Sequence, residues 1–179
     1  ENVALTPGSD AADLNFSWYS AGKGTPAVKV WKDGSKSSAK VVTGNAEAIS
    51  AENWQGKSYS AANKVNIADY FEENTQYHYQ YTDNYTGDDS IWSAEYDYTT
   101  KATDKFSVIL TGDPQVGASG SSSDKSANDA SVARDAYNWN KTMQQALKTC
   151  PDASFLLSAG DQINQSGAAK DDDKKTRES

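Results

Sequence analysis

Polar and apolar residues alternate along the first hundred positions of the chain. Leu14, Phe16 and Trp18 are interleaved with Asn15, Ser17 and Tyr19, a period of two that predicts a half-buried strand. Upstream, Asn2 to Leu5 reads as a short strand closed by the turn cluster Thr6-Pro7-Gly8-Ser9-Asp10. Val28 and Val30, then Lys40 to Thr43, then Val65 and Ile67 extend the pattern, with Asp33-Gly34 as a turn among them. The most aromatic stretch comes next: Tyr77, Tyr79 and Tyr81, a turn at Asp88-Asp89, and a strand over Trp92 to Tyr98. About seven short strands, with turns roughly every ten residues, predict an antiparallel sandwich.

Beyond a polar connector, Thr99 to Lys105, the pattern changes. Phe106-Ser107-Val108-Ile109-Leu110 is a continuous apolar run, expected of a strand covered on both faces. Residues 117–127 read as a Ser-rich loop. From Asn128 the apolar residues recur at intervals of three and four (Val132, Ala136, Trp139, Met143, Ala146 and Leu147), which predicts an amphipathic helix ended by Pro151-Asp152. Ser154 to Ala159 is then a second buried strand. Strand, loop, helix and strand make a βαβ unit, so two architectures are predicted, over 1–100 and 101–179.

Composition narrows the functional classes. Five Trp, ten Tyr and four Phe are enough for a core, although the mean hydropathy of −0.79 marks a very polar protein. A net charge of −8 argues against nucleic-acid duplex as a partner, which needs clustered Lys and Arg. No apolar run of about 18 residues predicts a membrane span. The single cysteine, Cys150, cannot form an intrachain disulfide and is expected to be a buried structural thiol. The mixed charge run at 170–178 reads as a solvated face. The aromatic residues read as strand formers filling a sandwich core, rather than as a stripe for stacking sugars or bases.

Chemistry is expected at two turns, Gly112-Asp113-Pro114-Gln115 and Gly160-Asp161-Gln162, each directly after an apolar run. In a parallel βαβ unit both strands end on one edge of the sheet, so two aspartates 48 positions apart become neighbours. Converging carboxylates suit a divalent cation. The glycine before each aspartate is expected to turn the backbone sharply. Asp161 is the better candidate to bridge two ions, Asp113 would bind one, and Gln115 offers only a neutral carbonyl oxygen. The lone histidine, His78, lies in the tyrosine strand and reads as an ordinary strand residue. The Ser-rich loop lacks the Gly-Lys-Ser/Thr ending of a P-loop, and no serine triad is possible without a histidine at the sheet edge.

The runs Val108-Ile109-Leu110-Thr111-Gly112-Asp113-Pro114-Gln115 and Phe155-Leu156-Leu157-Ser158-Ala159-Gly160-Asp161-Gln162 resemble the opening of calcineurin-like metallophosphoesterases. Trp18, together with Phe71, Glu72 to Gln76, Tyr77 and Tyr79, has the spacing of an apolar plug and a tyrosine corner, and resembles a fibronectin type III-like module. The combination is similar to the purple acid phosphatase type of arrangement. That resemblance implies an all-β fibronectin III-like sandwich followed by the first βαβ unit of an α/β metallophosphoesterase domain. It also implies a secreted or cell-surface bacterial hydrolase. Two metal ions (Fe, Zn or Mn) would act on a phosphate-ester substrate, with a metal-bound hydroxide as nucleophile. Asp113 matches the first metal-binding motif and Asp161 the metal-bridging aspartate.

Two positions depart from the family pattern. Gln115 stands where many members have a histidine ligand. Asn164 stands where purple acid phosphatases have a metal-binding tyrosine and other members a second aspartate. Both remain candidate ligands through a neutral oxygen. The later Asn-His and Gly-His-x-His motifs do not occur before Ser179, so the chain is expected to be a fragment that is inactive alone, its oligomeric state open. The alternative is a non-catalytic extracellular adhesion or carbohydrate-binding module, and a third reading is an unrelated α/β binding protein.

Overall fold

The alternation in the first hundred residues becomes eight strands in the structure, a computed structural model that describes residues 3–54, 57–119 and 129–164. They are β1 (Ala4–Pro7), β2 (Leu14–Ser20), β3 (Ala27–Lys32), β4 (Lys40–Thr43), β5 (Asn45–Trp54), β6 (Lys57–Ile67), β7 (Gln76–Thr82) and β8 (Tyr96–Thr99). The run at 170–178, residues 120–127 of the Ser-rich loop, Asn2 and Asn128 lie outside the described residues. The chain divides into two compact units, Glu1–Asp104 and Lys105–Ser179.

In the first unit the strands form two antiparallel sheets of order β1-β2-β6-β5 and β4-β3-β7-β8. Their inner faces meet as a sandwich core. Leu14, Phe16, Trp18, Val65 and Ile67 come from one sheet, and Val28, Val30, Tyr77, Tyr79 and Tyr81 from the other. Rings cross the interface, with Phe16 edge-on to Tyr79 at 5.2 Å and Trp18 tilted against Tyr81 at 5.1 Å. Removing such a side chain from water contributes roughly 1.5–3 kcal/mol, against about 0.5–1.5 kcal/mol for the ring geometry, so burial dominates. The aromatic stripe at 77–81 is thus core, as its alternation predicts.

Three features depart from the expected strands. β5 has no alternation of large apolar residues, and it pairs with β6 as an edge strand whose register shifts between Ala48 and Glu52. The expected strand at Trp92 starts only at Tyr96. Before it, Ser93 replaces ladder pairing with its side chain: its hydroxyl accepts from the Tyr81 N–H at 3.0 Å while its own N–H donates to the Tyr81 carbonyl at 2.9 Å. The third feature is Gly44, the single residue between β4 and β5, where the chain passes from one sheet to the other. A Cβ there would run into the Lys64 carbonyl and the Val65 side chain, so only glycine fits.

The buried Tyr77 ring packs edge-on against Phe71 at 4.9 Å. Its hydroxyl accepts a 2.8 Å bond from the Glu72 N–H and reaches the Tyr70 carbonyl at 3.4 Å, tying the phenol back to the preceding loop. This is the tyrosine-corner geometry expected from the spacing.

The second unit contains β9 (Ser107–Thr111), α1 (Asp129–Thr149) and β10 (Ala153–Ser158). β9 and β10 pair in parallel, with Val108 opposite Phe155 and Thr111 opposite Ser158. The helical period holds at Val132, which is buried, and at Ala136, Trp139, Met143 and Ala146, which are half-buried, while Leu147 is exposed. The expectation that both strands are covered on both faces is corrected. Phe106 and Leu110 are 60% and 71% exposed, and Phe155, Leu156 and Leu157 are exposed as well. Two strands and one helix, all that the described residues of this unit supply, cannot cover two faces of a sheet. A groove of about 740 Å³ also runs between β9 and the last turns of α1, lined by Val108, Ile109, Leu110, Gln145, Ala146 and Cys150. Cys150 is accordingly exposed, not the buried thiol expected.

Replacing Tyr77 by Phe keeps the ring but leaves the Glu72 amide without its acceptor. Urea denaturation is expected to show a loss of roughly 1–3 kcal/mol, and an unchanged midpoint would remove the corner from the account of stability.

Candidate functional site

β9 and β10 end side by side because they are parallel, so the turns that follow them meet. Pairing is interrupted and then resumes. The Ala159 N–H donates to the Thr111 carbonyl at 3.0 Å; beyond the turns, the Gln115 N–H donates to the Asp161 carbonyl at 2.9 Å and the Val116 N–H to the Gln162 carbonyl at 3.1 Å. The Asn164 N–H returns a bond to the Val116 carbonyl at 2.9 Å, and Val116 faces Ile163 in a parallel bridge. Asp113 and Gly160 therefore sit on two short excursions pinned at both ends.

The four candidate residues are not all brought to one point. Gln115, Asp161 and Asn164 line a cavity of about 310 Å³ with Gln162 and Ile163. Asp113 is exposed on the neighbouring turn and is not among the lining residues. Asp161 is exposed, while Gln115 and Asn164 are half-buried. The exposed Gln162 amide donates to the Ser158 hydroxyl and, at 2.8 Å, to the Gly160 carbonyl.

Backbone strain accompanies the excursions. Gly160 has φ +142, as a turning glycine should, but Gly112 does not adopt a positive φ. On the first turn the left-handed conformation falls on Gln115, at φ +43, and on Gly117, at φ +100. Asp161 is left-handed too, at φ +30. For non-glycine residues such conformations cost on the order of 1–3 kcal/mol and persist where the surroundings over-determine them. Here the surroundings are the resumed parallel pairing.

Asp135 on α1 is a fixing residue that the sequence pattern did not single out. Its carboxylate accepts from the Gly117 N–H at 2.9 Å, the Ser119 N–H at 3.0 Å and the Ser119 hydroxyl. Arg134 closes the arrangement by donating to the Ser119 carbonyl and, at 2.7 Å, to its hydroxyl. Partial burial pushes the Asp135 carboxyl up, but the Ser119 and Gly117 hydrogen bonds and the nearby Arg134 outweigh it and hold it below the ordinary value. The helix thus anchors the strand of loop that leaves Gln115. The only sequence signal was an aspartate in the first half of a helix after a Gly-Ser loop, which is too common to read.

An acidic cluster lies in the first unit, where Asp10, Asp13 and Asp69 have carboxylate oxygens within 4.8 Å of one another. Its geometry is explained by loop closure. Asp13 accepts from the Ser9 hydroxyl at 2.6 Å and from the Asp69 N–H at 2.9 Å, bonds that hold its carboxyl below the ordinary value. Asp10 accepts from the Ala12 N–H at 2.8 Å. Among the described residues no helix is long and apolar enough to cross a membrane. Compared with protein-family models and with curated proteins, the chain finds no match.

Replacing Asp135 by Ala is expected to speed amide exchange at Gly117 and Ser119 by about tenfold, the scale of one lost charged hydrogen bond. Because the native carboxyl is depressed, its stabilisation is complete above the ordinary value of 3.8 and is lost as pH falls through the folded value. Unaltered exchange in the variant would detach Asp135 from the loop.

Proposed function

We propose that this chain is the N-terminal part of a secreted or surface-attached bacterial metallophosphoesterase of purple acid phosphatase type. A fibronectin III-like module occupies 1–100, and the catalytic α/β domain begins at 101. The observation that carries the reading is the parallel pairing of β9 and β10, which sets the Asp113 and Asp161 turns at one end of the pair and puts Asp161, Gln115 and Asn164 around one cavity. Support for the accessory module comes from the strand orders. β1, β2, β6 and β5 follow the A-B-E-D order, β3, β7 and β8 the C-F-G order, and the tyrosine corner falls at the start of the F-equivalent strand.

The donor set fits part of a dinuclear centre. The Asp161 carboxylate and the amide oxygens of Gln115 and Asn164 at the cavity, with the Asp113 carboxylate on the neighbouring turn, suit hard or borderline cations such as Fe, Zn or Mn, but they are too few to hold two ions by themselves. When bound, such ions supply neutralisation of phosphate oxygens and activation of water. The residues of this chain contribute position. Asp161, fixed by Gly160 and the resumed pairing, faces the cavity where a phosphate ester would enter, while Gln115 and Asn164 offer neutral oxygens that leave the net charge there low.

In the protein extended through the downstream reading frame, Asp161→Asn is expected to abolish tight binding of the second equivalent of Mn²⁺ or Zn²⁺ and to lower phosphatase turnover by at least a hundredfold, of the order seen when an electrostatic stabiliser is removed. Calorimetry and p-nitrophenyl phosphate hydrolysis measure the two effects. Wild-type stoichiometry and affinity in the variant would exclude Asp161 from the site, and a reading frame without Asn-His and Gly-His-x-His motifs would sink the enzyme reading itself.

A further inference from the structure

His78 projects from the outer face of β7, between Tyr77 and Tyr79, which point into the core. Its ring lies over the buried Trp31 of β3, with centroids 5.9 Å apart and planes at 24°. Both ring nitrogens meet carboxylates. Nδ1 is 2.7 Å from Asp97 in β8, and Nε2 is 3.1 Å from Asp33 in the turn after β3. Glu95, just before β8, is 3.5 Å from Nδ1 and is also paired at 2.7 Å with Lys36, whose ammonium sits 4.9 Å above the Trp31 ring. Among the described residues, Asp33, Glu95 and Asp97, with Lys36 behind Glu95, are the charged groups around the imidazole. Lys32, the charged residue of β3 next to Trp31, is engaged by Glu72.

A neutral imidazole has one N–H and one lone pair, so it can satisfy only one of two carboxylates; the imidazolium satisfies both. Because Asp33 and Asp97 bond opposite nitrogens, they cannot share one metal ion with the ring. The arrangement ties together three segments, and one of them, β8, is a four-residue edge strand with a single partner. We propose that protonated His78 is a latch that fastens the Asp33 turn and the edge strand β8 to β7, and that loss of its proton opens the latch on the Asp33 side. The Asp33 side opens because the surviving N–H stays with the closer Asp97, leaving a lone pair opposite Asp33.

The pH sense follows from linkage. The Asp33 hydrogen bond raises the pKa of His78 most, partial burial works against it, and the Asp97 bond and the charges of Asp97 and Glu95 add to the rise. A folded value above the ordinary 6.5 means that the stabilisation is complete below 6.5 and is lost as pH rises through the folded value. This inference is independent of any phosphatase activity.

His78 is the only histidine, so its ring Hε1 resonance needs no assignment. Proton NMR titration of the 179-residue chain is expected to give a midpoint above that of the same chain unfolded in urea. Asp33→Asn and Asp97→Asn should each shift it down. The Asp33 amide, which donates to the Gln76 carbonyl at 3.0 Å, should lose exchange protection across the same midpoint, while the amides of β8, still held through Asp97, should keep theirs. In His78→Gln that pH dependence should vanish. A midpoint at or below the urea value, protection that does not change through it, or the same pH dependence retained in His78→Gln would each overturn the latch; should His78→Gln fail to fold, Asp33→Asn decides the matter by the same readouts.

Discussion

Successive side chains of a strand point to opposite faces of its sheet, and in the first unit nearly everything depends on how β7 uses that constraint. Tyr77, Tyr79 and Tyr81 go inward, where they meet Phe71, Phe16 and Trp18. His78 and Gln80 go outward, where His78 meets the charges of two neighbouring segments and Gln80 donates to the Ser93 carbonyl. A one-residue slip would bury an imidazole and expose three phenols. The hydroxyl of Tyr77 makes the slip costlier still, because only in the observed register does it reach the Glu72 amide.

The second unit obeys a different constraint. Parallel strands cannot be joined by a hairpin, so α1 has to carry the chain back, and both strands then finish at the same end. The turns that follow are held in unusual conformations by pairing that resumes at Val116 and Ile163, and by the Asp135 carboxylate, which gathers the amides of Gly117 and Ser119. Placement of Gln115 and Asp161 is therefore a property of the backbone network around them. Their side chains line the cavity.

Legibility in the sequence followed the strength of the physical signal. The Tyr77-Tyr79-Tyr81 alternation and the corner spacing from Phe71 could be read because large apolar residues at a fixed period have few alternative explanations. The helix at Asp129–Thr149 could be read for the same reason. β5 was hidden because Asn45 to Trp54 is rich in Ala, Glu and Asn, and an edge strand needs no apolar face. The start of β8 was misjudged because a serine hydroxyl at Ser93 stands in for a strand carbonyl, a substitution no periodicity reveals. The apolar run at Phe106–Leu110 signalled coverage on two faces, yet the described residues of this unit provide one helix, so Phe106 and Leu110 are left exposed. At the candidate site the sequence located the turns but could not assign the left-handed positions, which fall on Gln115 and Asp161 as well as on Gly117 and Gly160.

Gly44 joins the edge of one sheet to the edge of the other through a single residue that cannot carry a side chain. The link is too short to absorb a shift. If β4 slid by one position along β3, β5 would be dragged along β6, and side chains on both sheets would be presented to the wrong face. The two layers of the sandwich are therefore not aligned independently. They behave as one ribbon creased at Gly44, and the crease transmits the registry of each sheet to the other.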